Sequence, residues 1–169
     1  MIIELASVEI LPKKINAKFA PGEIDLDSEG NLVSDAILDA EAVSKSGKVH
    51  IGARLTADIA LDCTRCLEAV RKPLEIDFDS VFVEGAEDEL EDKLEIAGED
   101  LAESFVAGGI IDLKEVVREQ LLLNLPEQVY CRDDCRGLCP KCGANRNLID
   151  CRCDDDEVDP RWAALKSLR

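Results

Sequence analysis

The sequence predicts an α+β fold in which an antiparallel β-sheet meander is covered by one helix and followed by a cysteine-rich C-terminal module. Three observations support it: period-two alternation of apolar residues over 32–83, helical spacing over 112–125, and a change to Cys, Arg, Asp and Gly after Pro126. The 169 residues, 46% of them hydrophobic, suffice for one core and a small module. We therefore predict a sheet-and-helix domain at 1–125 and a module at 126–169.

Turns and breaks divide the predicted sheet into strands. Residues 1–10 alternate apolar and polar side chains and interrupt each apolar run with glutamate, which predicts a strand and not a signal peptide. Gly, Pro and Asn predict turns at 19–22 and 29–31. Further breaks at 45–48 and 63–66 separate the longer strands.

The longer strands each have one apolar face. The apolar positions are Leu55, Ala57, Ile59 and Leu61 in one strand and Leu74, Ile76, Phe78 and Phe82 in the next. Acidic residues such as Asp58, Glu75 and Asp77 lie between them. This alternation is typical of an antiparallel sheet with one solvated face.

The helix is predicted from its ends as well as from its spacing. Asp112 can cap its N-terminus, Glu115 has the position of a capping-box partner, and Pro126 ends it. The apolar stripe includes Leu113, Val116, Val117 and Leu121. Because one apolar face of the sheet requires a cover, we predict that this helix packs on it.

Two segments outside this pattern have their own compositions. Residues 84–103 hold ten acids and the single base Lys93, which predicts a mobile surface excursion, with a regulatory or RNA-mimicking role as the alternative. Near the C-terminus, Asp159 and Pro160 predict the start of a short terminal helix on which Trp162 packs.

Charge and composition exclude several functions. The net charge of −17 repels phosphate backbones and anionic membranes, so any nucleic-acid contact must be local. Aromatic residues make up 4% of the chain, too few for a base-stacking platform. No run approaches the roughly 18 apolar residues of a membrane span. We therefore predict a cytoplasmic protein without membrane contact, whose cysteines stay reduced.

The eight cysteines predict structural metal sites. They form four close pairs: Cys63 and Cys66, Cys131 and Cys135, Cys139 and Cys142, and Cys151 and Cys153. Zn²⁺ binds four thiolates tetrahedrally, and a pair on a tight turn supplies half of such a site. Four pairs therefore predict two zinc ions and a zinc-bound C-terminal module, which metal stabilises in place of an apolar core.

The grouping of the pairs has more than one solution. The short spacing between Cys142 and Cys151 favours one site from the last four cysteines, which leaves Cys131 and Cys135 for Cys63 and Cys66. The alternative is a local site formed by the four cysteines from 131 to 142. A catalytic zinc site is not expected, because the one histidine, His50, lies in a strand pattern far from every cysteine.

Cationic side chains accompany the cysteines of the module. The RNA-contact candidates are Arg132, Arg136, Lys141, Arg146 and Arg152. They can contact RNA phosphate locally, or they can simply balance the charge of the thiolates. The sequence does not favour either interpretation.

Four motifs together resemble the YceD-like family, which is named for accumulation of the large-subunit ribosomal RNA. They are Cys-Thr-Arg-Cys-Leu-Glu at 63–68, the helix leading into Leu125 and Pro126, the stretch from Cys131 through Gly-Leu-Cys-Pro-Lys-Cys-Gly at 137–143, and Asp-Pro-Arg-Trp-Ala-Ala-Leu-Lys at 159–166. The resemblance implies a role in producing, processing or retaining 23S ribosomal RNA, and it supplies no catalytic residues.

The functional prediction combines the resemblance with the residues. We predict a non-enzymatic ribosome biogenesis factor that binds precursor ribosomal RNA, or a ribosomal or assembly protein, and takes no small-molecule substrate. The alternative is a zinc-dependent redox sensor or regulator, in which one cysteine pair oxidises and releases its metal.

Overall fold

A computed structural model describes residues 1–85, 103–153 and 161 of the chain. This part is mostly β-sheet with one α-helix, which confirms the α+β class. The strands are β1 Ile2–Glu4, β2 Lys13–Phe19, β3 Asn31–Leu32, β4 Ala36–Lys45, β5 Lys48–Asp62, β6 Ala69–Glu84, β7 Glu103–Val106 and β8 Ile110–Asp112, and the helix is α1 Leu113–Leu123.

The strands form two sheets. The larger has the order β2-β4-β5-β6-β7, with β3 paired to β5, and the smaller pairs β1 with β8. The β2–β4 and β4–β5 pairs are antiparallel, as predicted, whereas β7 pairs parallel to β6. A parallel pair needs a crossover of a dozen or more residues, and the chain between Glu84 and Glu103 is long enough to supply it.

The predicted break at 45–48 is a two-residue hairpin turn. Lys45 and Lys48 pair across the ends of β4 and β5. The two residues between them have positive φ angles, 51° at Ser46 and 79° at Gly47. Positive φ at both central positions is the geometry of a type I′ turn, whose twist matches that of the flanking strands.

The N-terminal strand is shorter than predicted. It ends at Glu4, and a 3₁₀ turn over Leu5–Ser7 follows, in which Val8 N donates to Leu5 O at 3.1 Å. The Ser7 hydroxyl also donates to the Glu4 carbonyl at 2.8 Å. The partner strand β8 has three residues, so no ladder is available to keep the following residues extended.

The predicted apolar face is buried in β5 and partly buried in β6. In β5, Leu55, Ala57, Ile59 and Leu61 are all buried. In β6, Ile76 and Phe82 are buried, whereas Leu74 and Phe78 are half-buried. The core of the sheet is therefore centred on β4 and β5, whose inward residues alternate with exposed or half-buried ones.

The solvated face of the sheet carries ion pairs between neighbouring strands. Arg54 of β5 makes a bidentate pair with Asp77 of β6, with Nε–Oδ1 and Nη2–Oδ2 distances of 2.7 and 3.1 Å. Hydrogen bonds from the Arg54 guanidinium hold the pKa of Asp77 below its usual value. The Arg71 guanidinium lowers the pKa of Asp58 in the same way.

The helix begins where it is predicted to and ends slightly earlier. The Asp112 carboxylate accepts a hydrogen bond from Lys114 N at 2.9 Å, which confirms the N-cap. At the other end, Asn124 N donates to carbonyls of the last turn. The buried residues of α1 are Leu113, Val116, Val117 and Leu121. That this face covers the six-stranded sheet stays a prediction.

The chain forms two compact units. The first contains residues 1–61 and 69–127, and the second contains 62–68 together with the chain from residue 128 onward. Nearly all of the acidic segment at 84–103 lies outside the described residues, as does the predicted terminal helix apart from Arg161. Within the described ranges, no helix has the length and apolar character needed to cross a membrane.

Candidate metal centres

The cysteine sulfurs of the second unit gather into two clusters of four. One contains Cys63, Cys66, Cys131 and Cys135, and the other contains Cys139, Cys142, Cys151 and Cys153. Within each cluster the sulfur atoms all lie within 4.8 Å of one another, and all eight cysteines are free. This is the grouping that the spacing argument favours, and each cluster can hold a metal ion.

The first cluster is built on a tight turn between β5 and β6. Cys63 N donates to Glu68 O at 2.8 Å, and Leu67 N donates to Cys63 O at 2.9 Å. Leu67 has a φ of 60°, in the left-handed region. The turn supplies the sulfurs of Cys63 and Cys66 from one side, as half of a tetrahedral site.

The other half of the first cluster is bonded to this turn. Thr64 N donates to Val129 O at 2.8 Å, and the Thr64 hydroxyl donates to the same oxygen at 3.1 Å. Two residues further on, Cys131 N donates to the Cys63 sulfur at 3.4 Å. Two sulfur pairs join the halves: Cys66 lies 3.5 Å from Cys131, and Cys63 lies 3.8 Å from Cys135.

The second cluster begins with a turn of the same kind. Cys139 N donates to Ala144 O at 2.8 Å, and Gly143 N donates to Cys139 O at 2.9 Å. Gly143 has a φ of 70°, which glycine adopts without steric cost. Cys151 and Cys153 complete the cluster from the other end of the intervening loop.

The two clusters differ in their exposure to solvent. Cys63, Cys66 and Cys135 of the first are 0%, 5% and 4% exposed. In the second, Cys142 is exposed, and Cys151 and Cys153 are half-buried. The second cluster is therefore the more accessible to chelators and oxidants.

Backbone N–H groups favour ionisation of one thiol in each cluster. Burial opposes ionisation of Cys63, but backbone N–H groups, first that of Arg65, lower its pKa to about 6. The N–H groups of Cys142 and Lys141 lower the pKa of Cys139 to about 6 as well. Four ionised sulfurs at these distances would repel one another without a cation between them. Binding of a metal ion here would therefore release the protons of the thiols that are still neutral.

Other thiols in each cluster are shifted in the opposite direction. Burial, followed by hydrogen bonding with Cys66, raises the pKa of Cys131. Hydrogen bonds with the Cys142 and Cys139 sulfurs raise the pKa of Cys153 to about 12. These groups keep their protons until a metal ion compensates the charge of the neighbouring sulfurs.

Arg65 and Asn147, which were not predicted from the sequence as site residues, both hydrogen-bond to Cys135 of the first cluster. Arg65 donates from Nη1 to Cys135 O at 3.1 Å, and its guanidinium carbon lies 4.2 Å from the centre of the Tyr130 ring. Asn147 donates from Nδ2 to the Cys135 sulfur at 3.3 Å. The place of Arg65 inside a Cys-x2-Cys turn hints at its role, but nothing in the sequence marks Asn147.

The five RNA-contact candidates lie in the segment that bears the cysteines. Arg132 pairs with Asp134 at 3.6 Å, and Arg136 pairs with Asp150 at 2.9 Å. Lys141 and Arg152 are exposed and lie between the two cysteines of their respective pairs, and Arg146 is half-buried. Four of the five candidates, all but Arg146, are thus exposed to solvent.

Comparison with known proteins gives a consistent result. The sequence matches the family described as "Large ribosomal RNA subunit accumulation protein YceD" over residues 51–169. The uncharacterized protein YlbN of Bacillus subtilis is 29% identical over 144 residues, which cover 85% of this chain and 79% of YlbN. The uncharacterized protein ML1660 of Mycobacterium leprae is 29% identical over 131 residues, 78% of this chain, so the match spans 58% of that protein.

One relative carries a functional name. The Arabidopsis thaliana protein "Large ribosomal RNA subunit accumulation protein YCED homolog 1, chloroplastic" is 36% identical over 59 residues, which cover 35% of this chain and 18% of that protein. No solved structure matches the chain.

Proposed function

The chain belongs to the YceD family of large ribosomal RNA subunit accumulation proteins, and we propose that it is a cytoplasmic, non-enzymatic ribosome biogenesis factor. It supports the accumulation or processing of 23S ribosomal RNA by binding precursor RNA or a ribosomal protein. The observation that carries this proposal is the placement of both cysteine clusters and all five cationic candidates within one compact unit.

The metal of the proposal is zinc, with one ion in each cluster. Four sulfur donors with tetrahedral spacing suit Zn²⁺ better than the oxygen-preferring Mg²⁺ or Ca²⁺. A site with four thiolates has no open position for substrate, so both ions would be structural. The two cysteine turns would position the sulfurs around each ion. Their backbone N–H groups hydrogen-bond to the sulfurs of Cys63 and Cys139 and favour the thiolate form that binds metal.

The charges restrict how RNA can be bound. The net charge of −17 repels RNA at long range, and each zinc tetrathiolate adds a further two negative charges. Ionic screening limits that repulsion to about 8 Å at physiological salt. Exposed cations such as Arg132, Lys141 and Arg152 can therefore contact phosphates that come close to the metal-bearing unit.

Filter binding to fragments of 23S precursor RNA over a salt series tests this mode of action. Phosphate contacts by the cationic candidates predict a steep fall in affinity with salt, by about 0.7 to 0.9 in log–log slope for each contact. The variant Arg132→Ser, Lys141→Ser, Arg152→Ser should lose affinity and reduce the slope by about 2 to 3.

A control variant with the same charge change shows whether a loss of RNA affinity comes from local contacts or from net charge. The variant Lys13→Ser, Lys14→Ser, Lys45→Ser makes the same charge change at exposed positions of β2 and β4. It should bind RNA like the unmodified protein. Equal losses in both variants, or salt-independent binding, would contradict direct RNA contact and favour a ribosomal protein as the partner.

The exposed Cys142 favours a second candidate function, a zinc-dependent redox sensor. Peroxide would oxidise the exposed Cys142 first, and formation of a disulfide between Cys142 and a neighbouring cysteine of the second cluster would remove two thiolate ligands and release the ion. Thiol titration before and after mild peroxide, with released metal followed by a chelating dye, tests it. Retention of both ions would exclude this function.

For the first unit we propose that α1 covers the six-stranded sheet. The support is its buried face, which includes Val117 and Leu121, each 0% exposed. Truncation of Leu121 to Ala should cost about 2 to 5 kcal/mol of unfolding free energy, as for other buried leucines. Denaturant unfolding measures it, with the 70%-exposed Leu123→Ala as control.

A further inference from the structure

The two clusters are connected by a short stretch of chain that is hydrogen-bonded on both sides. Cys135 belongs to the first cluster and Cys139 to the second, with three residues between them. Leu138 N donates to Arg65 O at 2.9 Å, which ties this stretch to the turn of the first cluster. Arg146 N donates to Gly137 O at 2.9 Å, which ties it to the loop of the second.

Asn147 uses both ends of its side-chain amide on this connection. Its Nδ2 donates to the Cys135 sulfur at 3.3 Å, and its Oδ1 accepts from Arg136 N at 2.8 Å. Its own backbone N–H donates to the Asn145 side chain at 3.0 Å. A half-buried residue of the second cluster's loop thus orients a ligand of the first cluster.

The position of Asn147 in the chain makes this contact dependent on the second cluster. It lies between Cys142 and Cys151, so an ion that binds both cysteine pairs closes the loop that carries it. Closing a loop restricts its conformations and favours the geometry in which the amide meets the sulfur. Without that closure, the hydrogen bond itself must offset the conformational entropy that is lost when the loop becomes ordered.

From these contacts we infer that Asn147 couples the two metal centres, so that an ion in the second cluster slows the loss of the ion in the first. The inference rests on the proposed binding of two structural zinc ions. Outer hydrogen bonds to metal ligands typically contribute 10- to 100-fold to affinity. Because the coupling of binding free energies is reciprocal, the factor by which an ion in the second cluster strengthens binding in the first is also the factor by which an ion in the first strengthens binding in the second.

Metal-release kinetics from the full chain test the coupling. Zinc-loaded protein is mixed with excess chromogenic chelator, and native mass spectrometry counts the ions that remain. Cys66→Ser, which lacks a first-cluster ligand, identifies the release phase of the first cluster. Asn147→Ala should speed that phase by about 10- to 100-fold. Leu148→Ala, at the 74%-exposed next residue of the same loop, should leave it unchanged.

A more conservative variant separates the hydrogen bond from side-chain volume. Asn147→Asp keeps an oxygen for Arg136 N but presents an acceptor, not a donor, to the Cys135 sulfur. It should speed release at least as much as Asn147→Ala. Release at the rate of the unmodified protein would overturn the inference.

A double-mutant cycle tests dependence on the second cluster. Cys153→Ser removes a second-cluster ligand and should speed release from the first cluster. Adding Asn147→Ala to Cys153→Ser should then have little further effect, because the loop no longer holds the amide in place. Equal effects of Asn147→Ala with and without Cys153→Ser would overturn the coupling.

The outcomes distinguish this inference from the proposal on which it rests. Two ions that leave independently would contradict the coupling and leave the two-zinc assignment intact. A folded, metal-free protein would overturn both. If Cys153→Ser fails to fold, Cys142→Ser, at the exposed ligand of the second cluster, takes its place in the cycle. An unchanged release rate in Asn147→Ala, which retains all eight thiols, would refute the coupling on its own.

Discussion

Leu67 and Gly143 occupy equivalent positions in the two cysteine turns. Each directly follows the second cysteine of its pair, and each donates its N–H to the carbonyl of the first cysteine at 2.9 Å. Their φ angles are 60° and 70°. Glycine adopts this left-handed conformation freely, whereas an L-residue with a Cβ pays about 1 to 2 kcal/mol for it.

Replacing Leu67 with glycine should relieve this strain. The Leu67 side chain is 62% exposed, so its removal loses little burial. After the greater flexibility of glycine in the unfolded chain is subtracted, Leu67→Gly should raise the unfolding free energy by up to about 1 kcal/mol. Denaturant unfolding of the zinc-loaded protein measures it. A loss of more than about 1 kcal/mol would show that the leucine side chain itself stabilises the turn.

The glycines at 137 and 143 should respond differently to substitution by alanine. Both have positive φ, but a Cβ at Gly143 meets nothing within 4 Å, whereas one at Gly137 would lie 2.9 Å from Arg65 O. Gly143→Ala should cost about 1 kcal/mol of unfolding free energy from backbone strain alone. Gly137→Ala should cost more, because it also pushes the two backbones apart.

Thermal and denaturant unfolding of the two variants side by side provide the comparison. Gly143→Ala serves as the control for backbone strain without a clash. Equal losses in both would mean that the approach of Gly137 to Arg65 contributes nothing to stability.

Single serine substitutions should each remove one metal ion. Cys66→Ser and Cys142→Ser belong to different clusters, so native mass spectrometry should find one ion in each variant and two in the unmodified protein. The loss of stability should be greater for Cys66→Ser, because Cys66 is 5% exposed whereas Cys142 is exposed. Loss of both ions in either variant would argue against two separate sites.

The Arg54–Asp77 pair should contribute a pH-dependent part of the stability. The pKa of Asp77 is lowered in the folded protein, chiefly by its hydrogen bonds from Arg54. The contribution is therefore present above the unfolded pKa of about 3.9 and is lost as pH falls through the lower folded pKa.

Unfolding curves of Asp77→Asn and of the unmodified protein should converge as the pH is lowered from about 7 to about 3. Acid also protonates the cysteine ligands, but that effect is common to both proteins and cancels in the difference. Asp79→Asn, two residues along β6, is a control with the same charge change. A difference that grows toward low pH would contradict the assigned sign.

The sequence predicted those features that depend on local periodicity and spacing. Alternation identifies the buried faces of β4 and β5, and Asp112 identifies the start of the helix. The short spacing from Cys142 to Cys151 favours the grouping of sulfurs that the structure shows. In each case the residues that determine the feature are close together in the sequence, so a local pattern is enough to predict it.

Features that depend on distant contacts were not predictable in this way. The parallel strand β7 is chosen by its pairing with β6, not by its own four residues. The strand predicted over residues 1–10 ends at Glu4 because its partner is short. Asn147 hydrogen-bonds to the Cys135 sulfur because the chain folds back between these two residues. An asparagine in a loop is also common for other reasons, such as turn formation, so its presence alone does not predict this contact.

The first cluster joins sulfurs far apart in the chain, since Cys63 and Cys135 are separated by 72 positions. On a translating ribosome, at about 5 to 20 residues per second, the Cys63 turn emerges roughly 4 to 14 seconds before its last ligand. During that interval the nascent chain contains Cys63 and Cys66 but not yet the two cysteines that complete the cluster. The four sulfurs of the first cluster can therefore assemble only after synthesis has passed residue 135, and a chain that ends before Cys131 would keep Cys63 and Cys66 as an incomplete pair.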